Sequence, residues 1–218
     1  MSVWAVLAAA GRGERLGDDR PKAFARLGDL PLVAEPLRRL DDSDWIDGVI
    51  VAAPAGWEEP VIVLAEELAA GKVRSVVTGA ETRAGSVRAA LTEVPDEAAV
   101  ILVHDAARPL VADDVIGRVL APLSEGYDGA VPVLPLADTV KRVRRDEVVE
   151  TLDRDGLVLS QTPQAFLADV LRRAAAGEGT DCASLVEAQG GRIKAVEGDP
   201  RLLKVTSTAD LELVASWL

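Results

Sequence analysis

Uninterrupted apolar runs recur along the chain and alternate with stretches in which apolar residues return at helical spacing. The runs at 3–8, 48–53, 73–77, 99–103 and 130–133 have the length and β-branched content of strands, and 32–40, 58–70, 83–94 and 113–123 read as helices. Runs such as GVIVAA and AVILVH are apolar on both alternating faces. A strand of that kind belongs in a parallel sheet covered by helices on each side, with right-handed crossovers between neighbours. The fold class is α/β with a mostly parallel central sheet.

The alternation breaks where DTVKRVRRDEVVETLD reads as two short strands around a polar turn at 144–147, giving a protruding β-hairpin arm over about 138–158. A hairpin this charged buries little of itself and calls for a surface to pack on, which points to a second subunit and a homodimer. The pattern returns to helices at 164–176 and 181–189, a strand at 192–196 and a closing helix from about 209. Ser207 or Thr208 reads as the N-cap of that last helix, Asp210 as structural, and Leu211, Leu213 and Trp217 as its core contacts. No repeat, low-complexity tract or linker interrupts 1–218, so a single domain is expected.

Composition narrows the functions available. The chain has 218 residues, 49% of them hydrophobic, and a formal net charge of -12. A nucleic-acid binder needs a basic face to displace counterions, so DNA and RNA are not expected partners. The opening apolar run of roughly eight residues is too short for a bilayer, which takes about 20, and lacks a basic leader; a soluble, cytoplasmic protein without a membrane partner is expected. One cysteine, Cys182, and one histidine, His104, allow neither an internal disulfide nor a zinc cluster. An acidic protein still binds small anions where a few cations gather in one cleft.

The first such place follows the first strand: Ala8-Ala9-Ala10-Gly11-Arg12-Gly13-Glu14-Arg15-Leu16-Gly17, then Arg20-Pro21-Lys22. Small residues let backbone N–H groups approach a phosphate chain closely. A dinucleotide-binding oxidoreductase would want a third glycine where Leu16 stands and an acidic residue closing the second strand, which instead ends Val51-Ala52-Ala53-Pro54. No Gly-Lys-Ser/Thr of a Walker loop is present, whereas Arg15 and Lys22 are spaced to fold back over phosphates.

The segment A-A-A-G-x-G-x-R followed by P-K resembles the signature of the cytidylyltransferases that activate methylerythritol phosphate. Further segments follow in that family's order: Gly79-Ala80-Glu81-Thr82-Arg83-Ala84-Gly85-Ser86-Val87, His104-Asp105-Ala106-Ala107-Arg108-Pro109, Asp138-Thr139-Val140-Lys141, Leu152-Asp153-Arg154, Gln161-Thr162-Pro163-Gln164-Ala165-Phe166, Thr180-Asp181 and Lys204-Val205-Thr206. The ordered set covers nearly the whole chain. The resemblance implies a Rossmann-like nucleotidyltransferase domain of the GT-A-like kind, and transfer of CMP from CTP to 2-C-methyl-D-erythritol 4-phosphate with Mg²⁺ as the divalent cation. A ribitol 5-phosphate cytidylyltransferase shares much of the pattern, and a nucleotide-sensing module without turnover is the reading from another class.

By the same resemblance, Arg15 and Lys22 stabilise the pentacoordinate phosphorus, and Lys204 and Arg154 hold the acceptor phosphate in line. Ala9, Ala10, Gly11, Gly13, Lys22, Ala80, Arg83, Ser86, Asp105 and Ala106 form the nucleotide site, with Ser86 and Arg83 reading the base. Asp105, Thr139, Arg154, Thr162, Thr180 and Lys204 form the acceptor site, the arm delivering Thr139 and Arg154 to the neighbouring subunit. Asp105 follows a buried strand and is placed either on a hydroxyl or beside the Mg²⁺ of the triphosphate; His104 reads as its packed neighbour. Two positions depart from the family's usual pattern: Cys182 stands where a second acidic residue follows Thr180-Asp181, and Leu202 where an asparagine precedes Lys204 by two residues.

Overall fold

The computed structural model describes residues 2–11, 20–177 and 179–218. In chain order the elements are β1 (Val3–Ala8), β2 (Arg26–Leu27), β3 (Leu30–Pro31), α1 (Ala34–Asp42), β4 (Gly48–Ala53), α2 (Glu58–Glu67), β5 (Val73–Thr78), α3 (Arg83–Leu91), β6 (Val100–Asp105), α4 (Asp113–Leu120), β7 (Gly129–Pro135), β8 (Val140–Arg144), β9 (Glu147–Leu152), β10 (Val158–Ser160), β11 (Gln164–Leu167), α5 (Ala168–Ala174), α6 (Cys182–Glu187), β12 (Ile193–Glu197) and α7 (Thr208–Ala215).

Strands β5, β4, β1 and β6 lie side by side and parallel, and β11 runs antiparallel between β6 and β7. Gly129 pairs with both Phe166 and Ile193, and Val133 with both Ser160 and Glu197; β11 and β10 therefore follow one another along one edge of β7 while β12 covers the other. The alternation of side chains in the buried strands builds two cores. Val3, Ala5 and Leu7 of β1 pack with Leu37, Leu40, Val61 and Ile116 of α1, α2 and α4 on one face. Val6, with Ile50 and Ile101, packs against Val87, Leu171 and Val186 of α3, α5 and α6 on the other. Burial on both faces is why these strands carry almost no polar residues.

The segment from 164, which periodicity reads as helix, begins instead as strand β11. Its Gln164, Ala165 and Phe166 are buried between β6 and β7, and the helix starts only at Ala168. Four residues leading straight into a helix are too few for a period of two to stand out. In α7 the N-cap is Ser207, one of the two expected, and it forms a capping box with Asp210, but Leu213 lies 46% exposed; Val214 carries the buried contact with Leu27, Leu32, Leu110 and Val205, supported by Leu211 and Trp217.

The arm forms as a separate two-stranded sheet, β8 paired with β9, with an irregularity between Arg142 and Val143. Its turn residues Arg145 and Asp146 both have positive φ, 45° and 70°. Two left-handed residues in succession give the turn the right-handed twist that lets the two strands stay paired. Val143 and Val148 face each other across the arm and remain 56% and 62% exposed.

Candidate active site

Chain order reverses at β1: β4 and β5 lie to one side and β6 to the other. A sheet of this kind opens a crevice at the carboxyl ends of its strands beside such a reversal. A cavity occupies that place, lined by residues 8–11 after β1, Lys22, residues 80–83 and Ser86 at the start of α3, Asp105 and Ala106 after β6, and Lys204. The expected nucleotide residues Ala9, Ala10, Gly11, Lys22, Ala80, Arg83, Ser86, Asp105 and Ala106 thus meet in one pocket. Gly13 and Arg15 lie outside the described residues.

The walls are tied to each other through backbone. Ala9 N–H donates to Ala52 (2.9 Å), Gly79 N–H to Ala53 (2.8 Å) and Ala106 N–H to Ala8 (3.0 Å). A Cβ on Gly79 would collide with Ala10 and crowd the Ala53 carbonyl, so a glycine is needed for the loop before α3 to close on the loop after β1. Thr82 caps α3 by accepting from Gly85 N–H (3.0 Å). The buried Ser86 hydroxyl accepts from Ala80 N–H (2.9 Å) and lies 3.1 and 3.0 Å from the Ala80 and Thr82 carbonyls. Its bonds close its own loop, and so shape the wall that a base would meet.

Asp105 is the charged centre of the floor, only 6% exposed. Its Oδ1 accepts from Arg83 Nε and its Oδ2 from Lys204 Nζ, both at 2.7 Å. Burial alone would raise the carboxyl's pKa, but the Arg83 and Lys204 charges outweigh it and hold the group below the usual carboxylate range. Arg83 reaches further: its Nη1 lies 3.5 Å from Cys182 Sγ, and its Nη2 is buried with no partner among the described residues. Burial pushes the Cys182 thiol up, so it stays neutral.

Asp105, expected beside the Mg²⁺ of the triphosphate, has both carboxylate oxygens engaged by cations of the chain, Oδ1 by Arg83 and Oδ2 by Lys204. No cluster of three or more His, Cys, Asp or Glu able to hold a metal occurs among the described residues.

Behind Asp105 lies a buried polar chain. Asp105 N–H donates to Thr162 Oγ1 (3.0 Å), Thr162 Oγ1 is 3.1 Å from His104 Nδ1, and His104 Nε2 is 2.9 Å from the Arg108 carbonyl. A carbonyl only accepts, so Nε2 carries the hydrogen, and the neutral ring's Nδ1 accepts from the Thr162 hydroxyl. Burial pulls the His104 pKa down to about 4. Thr162, expected on the acceptor, therefore has its hydroxyl turned inward to this chain.

The remaining expected acceptor residues, Thr139, Arg154 and Thr180, are not among those lining the cavity. Thr139 and Thr180 are exposed, and Arg154 is exposed at the arm's base, its Nη1 donating to the carbonyls of Leu136 (3.1 Å) and Ala137. Two members of the quoted motifs, Glu81 and Arg108, emerge that the sequence reading gave no role. Glu81 lines the cavity, and Arg108 donates to the Leu202 (2.5 Å) and Ser160 (3.4 Å) carbonyls, tying the loop after β6 to the segment before Lys204. Leu202 itself is fully buried in the core, where its side chain packs.

Comparison with known proteins adds an independent line. The family model described as 2-C-methyl-D-erythritol 4-phosphate cytidylyltransferase matches residues 3–218. The protein of that name from Frankia casuarinae is 45% identical over 221 residues, spanning 99% of this chain and 81% of its own. Its counterpart from Nocardia farcinica is 44% identical over 220 residues, spanning 100% and 94%. Among solved structures, the crystal structure of 2-C-methyl-D-erythritol 4-phosphate cytidylyltransferase from Thermus thermophilus superposes with a TM-score of 0.80 at 31% identity, covering 100% of this chain and 98% of that one.

Proposed function

The chain belongs to the 2-C-methyl-D-erythritol 4-phosphate cytidylyltransferase family, and from that premise we propose that it transfers CMP from CTP to 2-C-methyl-D-erythritol 4-phosphate, releasing pyrophosphate. The full-length family match carries this reading, and the cation-rich cavity at the sheet's carboxyl edge agrees with it.

In this reaction an oxygen of the acceptor's phosphate monoester attacks the α-phosphorus of CTP and pyrophosphate departs. The nucleophile is already an anion near neutral pH, so the step needs no general base; it needs in-line placement and neutralisation of charge at phosphorus. Lys22, which lines the cavity, is assigned to the phosphates of CTP together with Arg15. Lys204, oriented by Asp105, is assigned to the acceptor phosphate. Asp105 and Thr162 act beneath the substrates, Asp105 by aiming the two cations and Thr162 by holding Asp105. A divalent cation, Mg²⁺ in this reading, would neutralise part of the triphosphate's charge, with Asp105 the residue expected near it.

The protein acts as a cytoplasmic homodimer of one domain per chain. Val143, Val148 and Val149 on the arm and Val158 and Leu159 on β10 leave apolar surface exposed, which supports a second copy as the arm's packing partner. Thr139 and Arg154 then serve the partner's cavity. None of the described helices is long and apolar enough to cross a membrane.

The test is pyrophosphate release with Mg²⁺ and CTP against methylerythritol 4-phosphate, ribitol 5-phosphate and no acceptor, with ATP, GTP and UTP as controls. Release that requires CTP and methylerythritol phosphate is expected. Release with ribitol phosphate instead would move the enzyme to another acceptor, and CTP binding without release under any pairing would make it a sensor.

A further inference from the structure

Of the three buried groups Asp105, Thr162 and His104 that hydrogen bonds link in a row, His104 alone has no assigned role. His104 is fully buried, Thr162 is 4% exposed and Asp105 6%; one imidazole nitrogen meets the Thr162 hydroxyl, between β10 and β11, and the other meets the Arg108 carbonyl in the turn after β6. A threonine hydroxyl has one hydrogen and rotates to place it. With Nδ1 bare, that hydrogen points at the ring, and an oxygen lone pair is left facing Asp105 N–H. At its other end, Nε2–H fixes the carbonyl of Arg108, whose own N–H closes the turn by donating to the Asp105 carbonyl (2.9 Å). The ring thus holds the 108 end of the four-residue turn 105–108 directly and the 105 end through the Thr162 hydroxyl. The same turn sets the direction of the carboxylate between Arg83 and Lys204.

We propose that His104 is a positioning residue of the transfer reaction, acting through the Thr162 hydroxyl and the Arg108 carbonyl to fix the turn that aims Asp105. It touches no substrate. The inference that this affects turnover rests on the assignment of Lys204 to the acceptor; the hydrogen-bond chain itself does not.

His104 is the sole histidine of the chain, which makes the test direct. In ¹⁵N-labelled protein at neutral pH, the single imidazole should show Nε2 protonated and Nδ1 bare, and Thr162→Val should move the Nδ1 resonance while leaving Nε2 in place. Two near-isosteres then separate the two ends. His104→Asn keeps an acceptor where Nδ1 stood and loses the bond to Arg108; His104→Gln keeps a donor where Nε2 stood and loses the bond to Thr162.

Each is expected to lower kcat/KM for the acceptor about tenfold, the scale of one buried polar group left without its partner, with KM for CTP changed less than threefold. In the Thr162→Val background, His104→Gln should cost no further activity, because the bond it breaks is already gone. An Nδ1-protonated ring, an Nδ1 resonance unmoved in Thr162→Val, or fully additive losses in the double variant would overturn the proposal. Inactive wild-type protein with the expected tautomer would refute the assigned reaction, and with it the claim on turnover, while leaving the hydrogen-bond chain standing.

Discussion

The Asp105 carboxylate and the Lys204 ammonium meet at 2.7 Å although 99 residues separate them in the chain. Arg83 holds the other carboxylate oxygen, so one buried negative charge organises two cations that would otherwise repel. Asp105→Asn removes that charge and leaves both cations in place. Breaking a buried pair costs a few kcal/mol, and water reaching Lys204 recovers some of it, so the loss of folding free energy should be about 3 kcal/mol. Activity should fall further than stability explains, by about 10²-fold or more, because Lys204 loses its aim. Chemical unfolding and pyrophosphate release measured on the same variant check both; activity within threefold of wild type would remove Asp105 from the site.

Lys22 lines the cavity beside the loop after β1. If it neutralises charge at the reacting phosphorus, Lys22→Ala should lower kcat by about 10²-fold, the scale of losing one charge-stabilising donor. Arg15→Ala should do the same. A change confined to the KM for CTP would mean that Lys22 binds the nucleotide equally in ground and transition states.

Val143 and Val148 oppose each other on the arm with more than half of each exposed. A carboxylate placed between two apolar surfaces is desolvated without a partner. Val148→Asp should therefore convert a dimer into a monomer in light scattering at micromolar concentration, and lower activity at least tenfold as Arg154 and Thr139 are withdrawn from the neighbouring cavity. Wild-type protein that is already monomeric under those conditions would exclude the shared site.

How much of this was legible in the sequence depended on the environment of each segment. Strands β1 and β4 match their expected bounds because burial on both faces writes an unbroken apolar run. Strand β10, with all three residues exposed, and the four-residue β11 leave no such trace. The hairpin arm was readable from its polar turn, yet the left-handed pair Arg145-Asp146 carries no glycine to announce it. In the site, the motif around Asp105 pointed to a residue that lines the cavity, but nothing local says which cations will flank it. Thr162 shows the same limit: its hydroxyl faces His104, 58 residues away in sequence, a choice made by the tertiary fold.

The buried His104 provides a pH dependence whose sign follows from linkage. Its pKa in the folded protein is about 4, below the value of about 6.5 for a free imidazole, so the unfolded chain binds more protons between those two values. The contribution to stability is complete above about pH 6.5 and declines as pH falls toward 4. Between pH 7 and pH 5 the decline should be on the order of 2 kcal/mol. Urea unfolding at the two pH values, compared between wild type and His104→Asn, isolates it from the carboxylates. Equal pH dependence in the two proteins would mean that His104 is protonated normally in the fold.

Cys182 offers the last test, because Arg83 Nη1 reaches only its sulfur at 3.5 Å and Nη2 is buried without a partner among the described residues. A thiol is a weak acceptor, and a neutral one leaves Arg83 shared only with Asp105. Cys182→Asp would give the guanidinium a second carboxylate, able to accept from both Nη groups. The new pair offsets the cost of burying another charge, so stability should stay within about 1 kcal/mol of wild type. The added negative charge lies near the cations assigned to the acceptor phosphate, and should weaken its binding. KM for the acceptor is expected to rise several-fold with kcat little changed, whereas Cys182→Ser should leave both near wild type. A matching fall in kcat for Cys182→Asp would instead place Arg83 in the transition state itself.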